Sequence, residues 1–416
     1  MRAIHLKEWG KAEEVQVNRA EGQALNRLTE KLDIRWTGTN TVQIGPKSGY
    51  VGVASLSADL QLVVRPKVPV GSLLDLIALA YRTVRLPKTI GDAALARFDP
   101  VEWLAFLLVA EIEHLLEQGL RRGYVTVREE VPYVRGRISF EALHRTLSRP
   151  VDLICEFADY LADTPENRLL RGTLEILFAM RLHSEVKLRI ATTLRAFSDV
   201  AIIRPSISMF GALNLSRLNR YYEPALRLCQ LFLEGSGVRA DLGDVVIPAF
   251  FVPMEEVFER AVVNILREEI GLGVHHGALF TDRFRHTAGS PPLVIGFRPD
   301  ILLGPRERPF LVLDAKYLNA IGEHRGRPVF SNQNLYQIVT YCTTLGCPGM
   351  LIYPKVSEDI DATYEVSGTR VTLRTVDLAT PGLTDLRVFA GEVAARFSGG
   401  SSGDRSGIYP ITSRSA

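Results

Sequence analysis

The chain has 416 residues, 46% hydrophobic and 23% charged, a balance typical of globular proteins and a length sufficient for two or three domains. Its formal charge of +2 announces no nucleic-acid partner, so any basic surface has to be local. Cys155, Cys229, Cys342 and Cys347 form no Cys-x-x-Cys pair and have no histidines at zinc spacing, which argues against a zinc site or a disulfide framework and fits a reducing cytoplasm.

Met1 to Gly10 lacks the apolar core of a signal peptide. The best apolar run, Trp103 to Ala110, stops at Glu111, too short for a bilayer, so a soluble cytoplasmic protein is expected. Residues 1–150 open with strand-like segments: Val42 to Ile44, Tyr50 to Leu56 and Leu60 to Val64, punctuated by Gly, Pro and Ser-Ala-Asp and ended by Pro66 and Pro69. Leu73 to Tyr81 reads as a helix. Val101 to Gln118 reads as a stronger one, with Trp103, Phe106, Leu107, Ala110, Leu115 and Leu116 at helical intervals. Arg121 to Phe140 returns to extended character and ends near the basic Arg135-Gly136-Arg137.

Residues 151–243 are expected to be mainly helical. Asp163-Thr164-Pro165-Glu166 is a helix start, and Tyr221 to Leu233 gives a second amphipathic helix closed by Glu-Gly-Ser-Gly. Residues 244–397 read as an α/β domain. It holds a helix over about Pro253 to Ile270, a hairpin, a Gly- and Arg-rich loop from Gly322 to Pro328 and a helix near Asn334 to Leu345. A buried strand from Gly349 to Tyr353 and strands within Thr363 to Leu373 follow. The tail, residues 398–416, is Ser, Gly and Arg with nothing to bury, and disorder is expected there. The fold class is therefore α/β in a multidomain α+β arrangement: a β-rich and helical N-terminal part, a helical middle and a C-terminal α/β domain.

The most informative stretch runs from Phe297 to Asn319. Two apolar runs, Ile301 to Leu303 and Phe310 to Leu313, flank a Gly-Pro-Arg-Glu-Arg-Pro turn, the pattern of a buried hairpin. Asp300 opens the first strand; Asp314 and Lys316 end the second and point the same way, with Ala315 between them. Two carboxylates and an ammonium at the edge of a buried sheet are costly unless they bind something, and a divalent cation is the natural answer. Asp-x-Lys alone is equally the look of a strand-end ion pair. Joined to Pro-Asp across a hairpin, it is the signature of a metal-dependent phosphodiesterase. Asp300, Asp314 and the Ala315 carbonyl would hold Mg²⁺, with Mn²⁺ as a substitute, and Lys316 would orient the attacking water and stabilise the pentavalent phosphate.

Gln337 and Tyr341 share one helix face one turn apart and can bond a carboxylate or a DNA phosphate, although a solvated Gln beside a core Tyr would look the same. Glu259 is the favoured additional metal ligand on the preceding helix, whereas Glu255 and Glu256 fit a solvated acidic first turn. His275, His276 and His286 read as surface or DNA-proximal residues. Arg283, Arg285, Arg298, Arg325 and Arg327 supply local basicity for phosphates or are solvated loop residues. No Gly-x-x-x-x-Gly-Lys-Ser/Thr loop is present, so no nucleotide is expected on this chain.

With these residues in place the chain resembles McrC, the nuclease subunit of modified-cytosine (type IV) restriction systems, over nearly its full length. The resemblance rests on Met254-Glu255-Glu256-Val257-Phe258-Glu259, Arg298-Pro299-Asp300, Leu313-Asp314-Ala315-Lys316-Tyr317, and Gln337 through Tyr341 with Leu351-Ile352-Tyr353-Pro354. Upstream it rests on Gly49-Tyr50-Val51-Gly52-Val53, Val64-Arg65-Pro66-Lys67, Cys155 through Tyr160 and Asp163 through Arg168. It implies a PD-(D/E)xK restriction-endonuclease-like domain with Asp314 in the third acidic position. It also implies a role in phage defence beside a hexameric AAA+ GTPase of the McrB type, double-stranded DNA carrying 5-methylcytosine as substrate, and a McrC–McrC contact in the assembled complex. Two other functions compete: an adaptor that only regulates the ring, and a stand-alone repair nuclease of the RecB or Cas4 kind.

Overall fold

The computed structural model describes residues 2–399 apart from 48, 58, 85–96, 140–152, 237–248, 272, 285, 289–294, 325–326, 331, 357 and 367; of residues 322–329 and 397–399 it describes the backbone only. The chain folds into two compact units, Met1–Pro100 with Phe251–Ala416, and Val101–Phe250. Both boundaries expected from the sequence, near 150 and 243, fall outside the described residues, as does nearly all of the tail.

The first unit begins with β1 (Arg2–Lys7), β2 (Glu13–Gln16), α1 (Arg19–Asn26), β3 (Leu32–Trp36), β4 (Thr41–Pro46), β5 (Tyr50–Ser55), β6 (Leu60–Arg65) and α2 (Val70–Tyr81). Strand β6 pairs antiparallel with β5 and parallel with β1, so that Arg2 faces Leu60 and Lys7 faces Arg65. Strands β2, β4 and β3 form a second, antiparallel sheet. Alternation in β4 puts Val42 and Ile44 in the core. Helix α1 starts on a reciprocal cap: Asn18 Oδ1 accepts from the Glu21 N–H at 2.9 Å, and Glu21 Oε2 accepts from the Asn18 N–H at 2.8 Å.

In the second unit α3 (Pro100–Glu117) precedes an antiparallel pair, β7 (Gly123–Val131) with β9 (Leu153–Leu161), flanked by the short β8 (Arg137–Ile138). The helices α4 (Pro165–Ala179), α5 (Ser184–Leu194), α6 (Ile207–Gly211) and α7 (Glu223–Ser236) follow, giving the helical middle its character. Helix α4 has Pro165 in its first turn, and the Thr164 hydroxyl accepts from the Asn167 N–H.

The chain returns to the first unit through β10 (Ala249–Pro253), the last strand of the sheet ordered β1-β6-β5-β10. Helix α8 (Met254–Ile270) starts where the Met254 N–H donates to the Gly49 carbonyl at 2.7 Å, and it buries Val257, Phe258, Val262 and Ile265. A mixed six-stranded sheet then forms in the order β11 (Val274–His276), β12 (Ile301–Leu303), β13 (Leu311–Ala315), β16 (Gly349–Pro354), β18 (Thr369–Val376), β17 (Asp361–Val366). The expected hairpin is β12 with β13, antiparallel, Ile301 opposite Leu313; β13, β16 and β18 run parallel. Helix α9 (Asn332–Leu345) packs Ile338, Tyr341 and Cys342 among Leu302, Val312 and Leu351. Its approach is close: a Cβ on Gly349 would lie 2.8 Å from Ile338 Cγ1 and clash with Cys342 Sγ. Of the segment expected as a Gly- and Arg-rich loop, the described residues instead belong to two paired antiparallel strands, β14 (Ile321–His324) and β15 (Arg327–Phe330), since Ile321, Val329 and Phe330 suit a ladder. Helix α10 (Thr384–Gly399) ends the described chain.

Candidate active site

Asp300 sits one residue before β12, and the register that sets Ile301 opposite Leu313 brings it opposite Asp314. Alternation puts Val312, Asp314 and Lys316 on the side of the sheet that α9 covers. The three expected residues do converge: the Lys316 Nζ lies 3.0 Å from Asp314 Oδ2 and 3.5 Å from Asp300 Oδ2. The Ala315 N–H donates to Asp300 Oδ2 at 3.1 Å. Asp314 is fully buried in the central strand, with Oδ1 free of hydrogen bonds and Oδ2 facing only the Lys316 ammonium.

Two carboxylates share one ammonium here, and the electrostatics record the imbalance. Burial, and then the charge of Asp314, push Asp300 up to about 8 against the opposing pull of Lys316. Burial also works against the Lys316 ammonium, but Asp314 and Asp300 outweigh it and hold its pKa above the usual lysine range. Lys316 is therefore a hydrogen-bond donor at neutral pH and not a base.

A cleft is lined by Glu255, Glu256, Glu259, Asp300 and Lys316 together with Gly49, Tyr50 and Pro253. Glu259 contributes to raising Asp300, so it is electrostatically part of the site, and Glu255 acts likewise on Lys316. Glu256 pairs with Arg260 at 2.5 Å, as a helix-surface residue would. His276, read from sequence as surface or DNA-proximal, is exposed and places Nε2 2.7 Å from Glu259 Oε1. The signal for that lies in the pairing of His276 with Ile301, next to Asp300, and no local spacing carries it.

Gln337 Nε2 donates to the Tyr341 hydroxyl at 2.9 Å, and that hydroxyl donates to the Arg298 carbonyl at 3.5 Å. Burial raises the Tyr341 pKa, opposed by its bond from Gln337 and helped by the charges of Asp314 and Asp300, while the pair's hydrogen bonds go to each other and to the Arg298 carbonyl. The Arg298 side chain is exposed. Arg283 instead lies over the Phe280 ring at 5.7 Å and reaches the Glu307 carbonyl at 3.4 Å. Arg285, Arg325 and the side chain of Arg327 lie outside the described residues.

The donor set fits a hard divalent cation. Two buried carboxylates that one ammonium must answer, one oxygen of them without any hydrogen bond, are what such an ion would relieve, and Mg²⁺ takes one or two carboxylates and completes its shell with water and phosphate. Among the described residues no three His, Cys, Asp or Glu side chains stand together as a ready-made cage. The four cysteines are free and buried, and burial pushes Cys342 and Cys347 up to about 12, the behaviour of inert packed thiols.

Residues 47–354 match the family model described as McrBC 5-methylcytosine restriction system component, over more than half of the chain. The chain belongs to the McrBC family. It is 24% identical over 327 residues to the type IV methyl-directed restriction enzyme EcoKMcrBC of Escherichia coli K12, a match covering 76% of this chain and 94% of that protein. Its fold is similar to a chain in the refined half-complex from the tetradecameric assembly of Thermococcus gammatolerans McrB AAA+ hexamers with bound McrC. That match has a TM-score of 0.59 at 16% identity, covering 94% of this chain and 100% of that one. The McrBC-family chain thus has a mixed α/β fold shared with that assembly. Among the described residues no helix is long and apolar enough to cross a membrane.

Proposed function

We propose that this McrBC-family chain is the Mg²⁺-dependent DNA endonuclease subunit of a modification-dependent restriction complex, with a PD-(D/E)xK domain over residues 244–397. The observation that carries the reading is the fully buried Asp314 carboxylate, whose Oδ1 has no hydrogen bond and whose Oδ2 stands 3.0 Å from the Lys316 ammonium, across the ladder from Asp300. Asp300 and Asp314 would hold the ion, with the Ala315 carbonyl beside them and Glu259 extending the carboxylate set. A bound Mg²⁺ supplies Lewis-acid polarisation of the phosphoryl oxygen and lowers the pKa of water. Lys316 donates to the attacking water and to the phosphate oxygens, where negative charge grows in the transition state. Gln337 and Tyr341 hold the polar rim, and Arg298 takes a flanking phosphate.

The N-terminal part, residues 1–150, serves the partner in this reading, and residues 151–243 form the helical middle. The partner is a McrB-like AAA+ GTPase, whose hydrolysis this chain stimulates; the fold shared with an assembly of McrB hexamers with bound McrC supports it. So does the lack of a phosphate-binding loop in this sequence. Methylated DNA as substrate is supported by the methyl-directed Escherichia coli relative.

The test combines the chain with its AAA+ partner, GTP, Mg²⁺ and plasmid with or without methylcytosine. Cleavage of the methylated plasmid alone, lost in Asp300→Ala, Asp314→Ala and Lys316→Ala while GTPase stimulation persists, is the expected result. Undiminished cutting by all three variants sinks the site assignment. Stimulation without any cutting would make the chain an adaptor, and cutting without partner or GTP a stand-alone nuclease.

A further inference from the structure

Glu8 directly follows β1 and is only 1% exposed. Its Oε2 accepts from the Tyr317 hydroxyl at 3.1 Å and from the Lys67 N–H at 3.3 Å, while its Oε1 is buried with no hydrogen bond. An apolar pair would fill this space at smaller cost. What the carboxyl adds is direction, because a buried hydrogen bond fixes the orientation of the ring it holds.

Tyr317 is 2% exposed and gripped from several sides: by Glu8, by the Trp9 ring at 5.1 Å between centroids, and by the Phe258 ring of α8 at 5.8 Å. Trp9 is held at φ 57°, a region that bulky residues avoid, so the turn after β1 is bent to deliver this ring. Tyr317 follows Lys316, and neighbouring residues on an extended chain face opposite sides. A hold on Tyr317 is therefore a hold on the backbone of Lys316, applied from the side away from the carboxylates. The Lys316 N–H, donating to the Ile352 carbonyl at 2.9 Å, is the other fixed point. The same corner reaches the next strand, since Lys67 Nζ donates to the Val356 carbonyl just past β16 at 3.4 Å.

We propose that Glu8 is a positioning residue for Lys316: through the Tyr317 hydroxyl it sets where the end of β13 lies, and so where the ammonium stands between Asp300 and Asp314. Glu8 thereby becomes part of the nuclease site without lining the cleft. The consequence for catalysis rests on the nuclease reading above; the positioning does not.

The test has two arms on the full-length chain. With partner, GTP, Mg²⁺ and methylated DNA, Glu8→Ala and Tyr317→Phe each lower kcat about tenfold to a hundredfold, with the KM for DNA nearly unchanged. Glu8→Gln, which keeps an acceptor for the hydroxyl, recovers most of the rate, and the Glu8→Ala/Tyr317→Phe double variant is no slower than the worse single one. In the second arm the chain alone is treated with an amine-acylating ester and read by peptide mass spectrometry. Lys316 acylation quickens in Glu8→Ala and Tyr317→Phe relative to Lys187 and Lys355 in the same sample, and returns toward wild type in Glu8→Gln. Unchanged Lys316 acylation in both variants, or a uniform rise at every lysine, overturns the proposal, as does a rise in KM with kcat intact. If the wild type cuts nothing while Lys316 still responds to Glu8, the nuclease reading fails and the positioning stands.

Discussion

Two regions of this protein bury carboxylates, and they do so in opposite ways. In the second unit, Glu166 is 3% exposed; one of its oxygens takes both the Arg121 guanidinium and Asn219 Nδ2, and the other is buried without a hydrogen bond. The circuit closes around it: the Arg121 N–H donates to the Tyr222 oxygen, whose hydroxyl donates to Asn167 Oδ1, and Asn167 Nδ2 donates back to the Arg121 carbonyl. Nearby, Arg168 grips both Asp163 oxygens, and that bond holds the Asp163 carboxyl below its usual range. In the first unit, Asp314 is buried just as deeply with one ammonium to share with Asp300 and no amide donor, and Asp300 is pushed up to about 8. Carboxylates answered by a guanidinium and an amide donor hold a fold together. Groups left short of partners on a rigid strand are kept for something that arrives later.

The largest effect that would separate the two is expected at Asp314. Asp314→Asn should lower cleavage about a thousandfold or more. Above about pH 8, where Asp300 is charged as well, the same change leaves one carboxylate for one ammonium, so in EDTA the variant should melt higher than wild type there. Mg²⁺ should raise the wild-type Tm and leave the variant's nearly unmoved. A variant that melts lower in EDTA would show that Asp314 is a structural ion pair after all, and the contrast between the regions would dissolve.

The converse change is in the second unit. Arg121→Met leaves Glu166 buried with a single donor and should cost about 2–4 kcal/mol in urea unfolding, at the lower end because Arg121 is itself a third exposed. Cleavage per folded molecule should be unaffected. A loss below about 0.5 kcal/mol would mean the network is decoration.

How much of this was readable beforehand follows from distance along the chain. The hairpin carrying Asp300, Asp314 and Lys316 was legible because a two-residue period and a turn place all three within one short segment. The Asp163-Thr164-Pro165-Glu166 helix start was legible for the same local reason. The capping pair of Asn18 and Glu21 was there to be read and marks a helix the expectations passed over. What local patterns do not record is which segments return to one another. Nothing near Glu8 signals that β1 lies parallel to β6 or that its carboxyl meets Tyr317, and nothing near His276 signals Glu259. The expected loop at Gly322–Pro328 misread composition: Gly and Arg suggested irregular chain, but the flanking Ile321, Val329 and Phe330 carry a ladder.

A smaller effect is expected at Glu8, which burial pushes up to about 7. Its folded pKa is raised, so the native state keeps a proton that the unfolded chain releases from roughly pH 4.5 upward. The wild type should therefore lose stability as pH rises from about 4.5 to about 7 and level off above, and Glu8→Gln should lack that component. Urea unfolding of both proteins at about pH 5 and about pH 8 reads the difference, wild type gaining on the variant at the acid end. Parallel profiles would place Glu8 with the carboxylates of the second unit.

The smallest effect contrasts two arginines. Arg283 is already engaged, over the Phe280 ring and against the Glu307 carbonyl, whereas Arg298 is exposed two residues before Asp300. An exposed cation beside the proposed nuclease site is worth most once a phosphate lies against it, and releasing the counterions of one phosphate contributes about one unit to the slope of log K against log salt. Arg298→Ala should therefore weaken DNA binding by the whole complex evenly across sequences and reduce that slope by about one. Arg283→Ala should leave the slope as it is, because the side chain it removes serves the protein's own surface. Equal slopes for both variants would mean that engagement with neighbouring groups does not distinguish a waiting arginine from a packed one here.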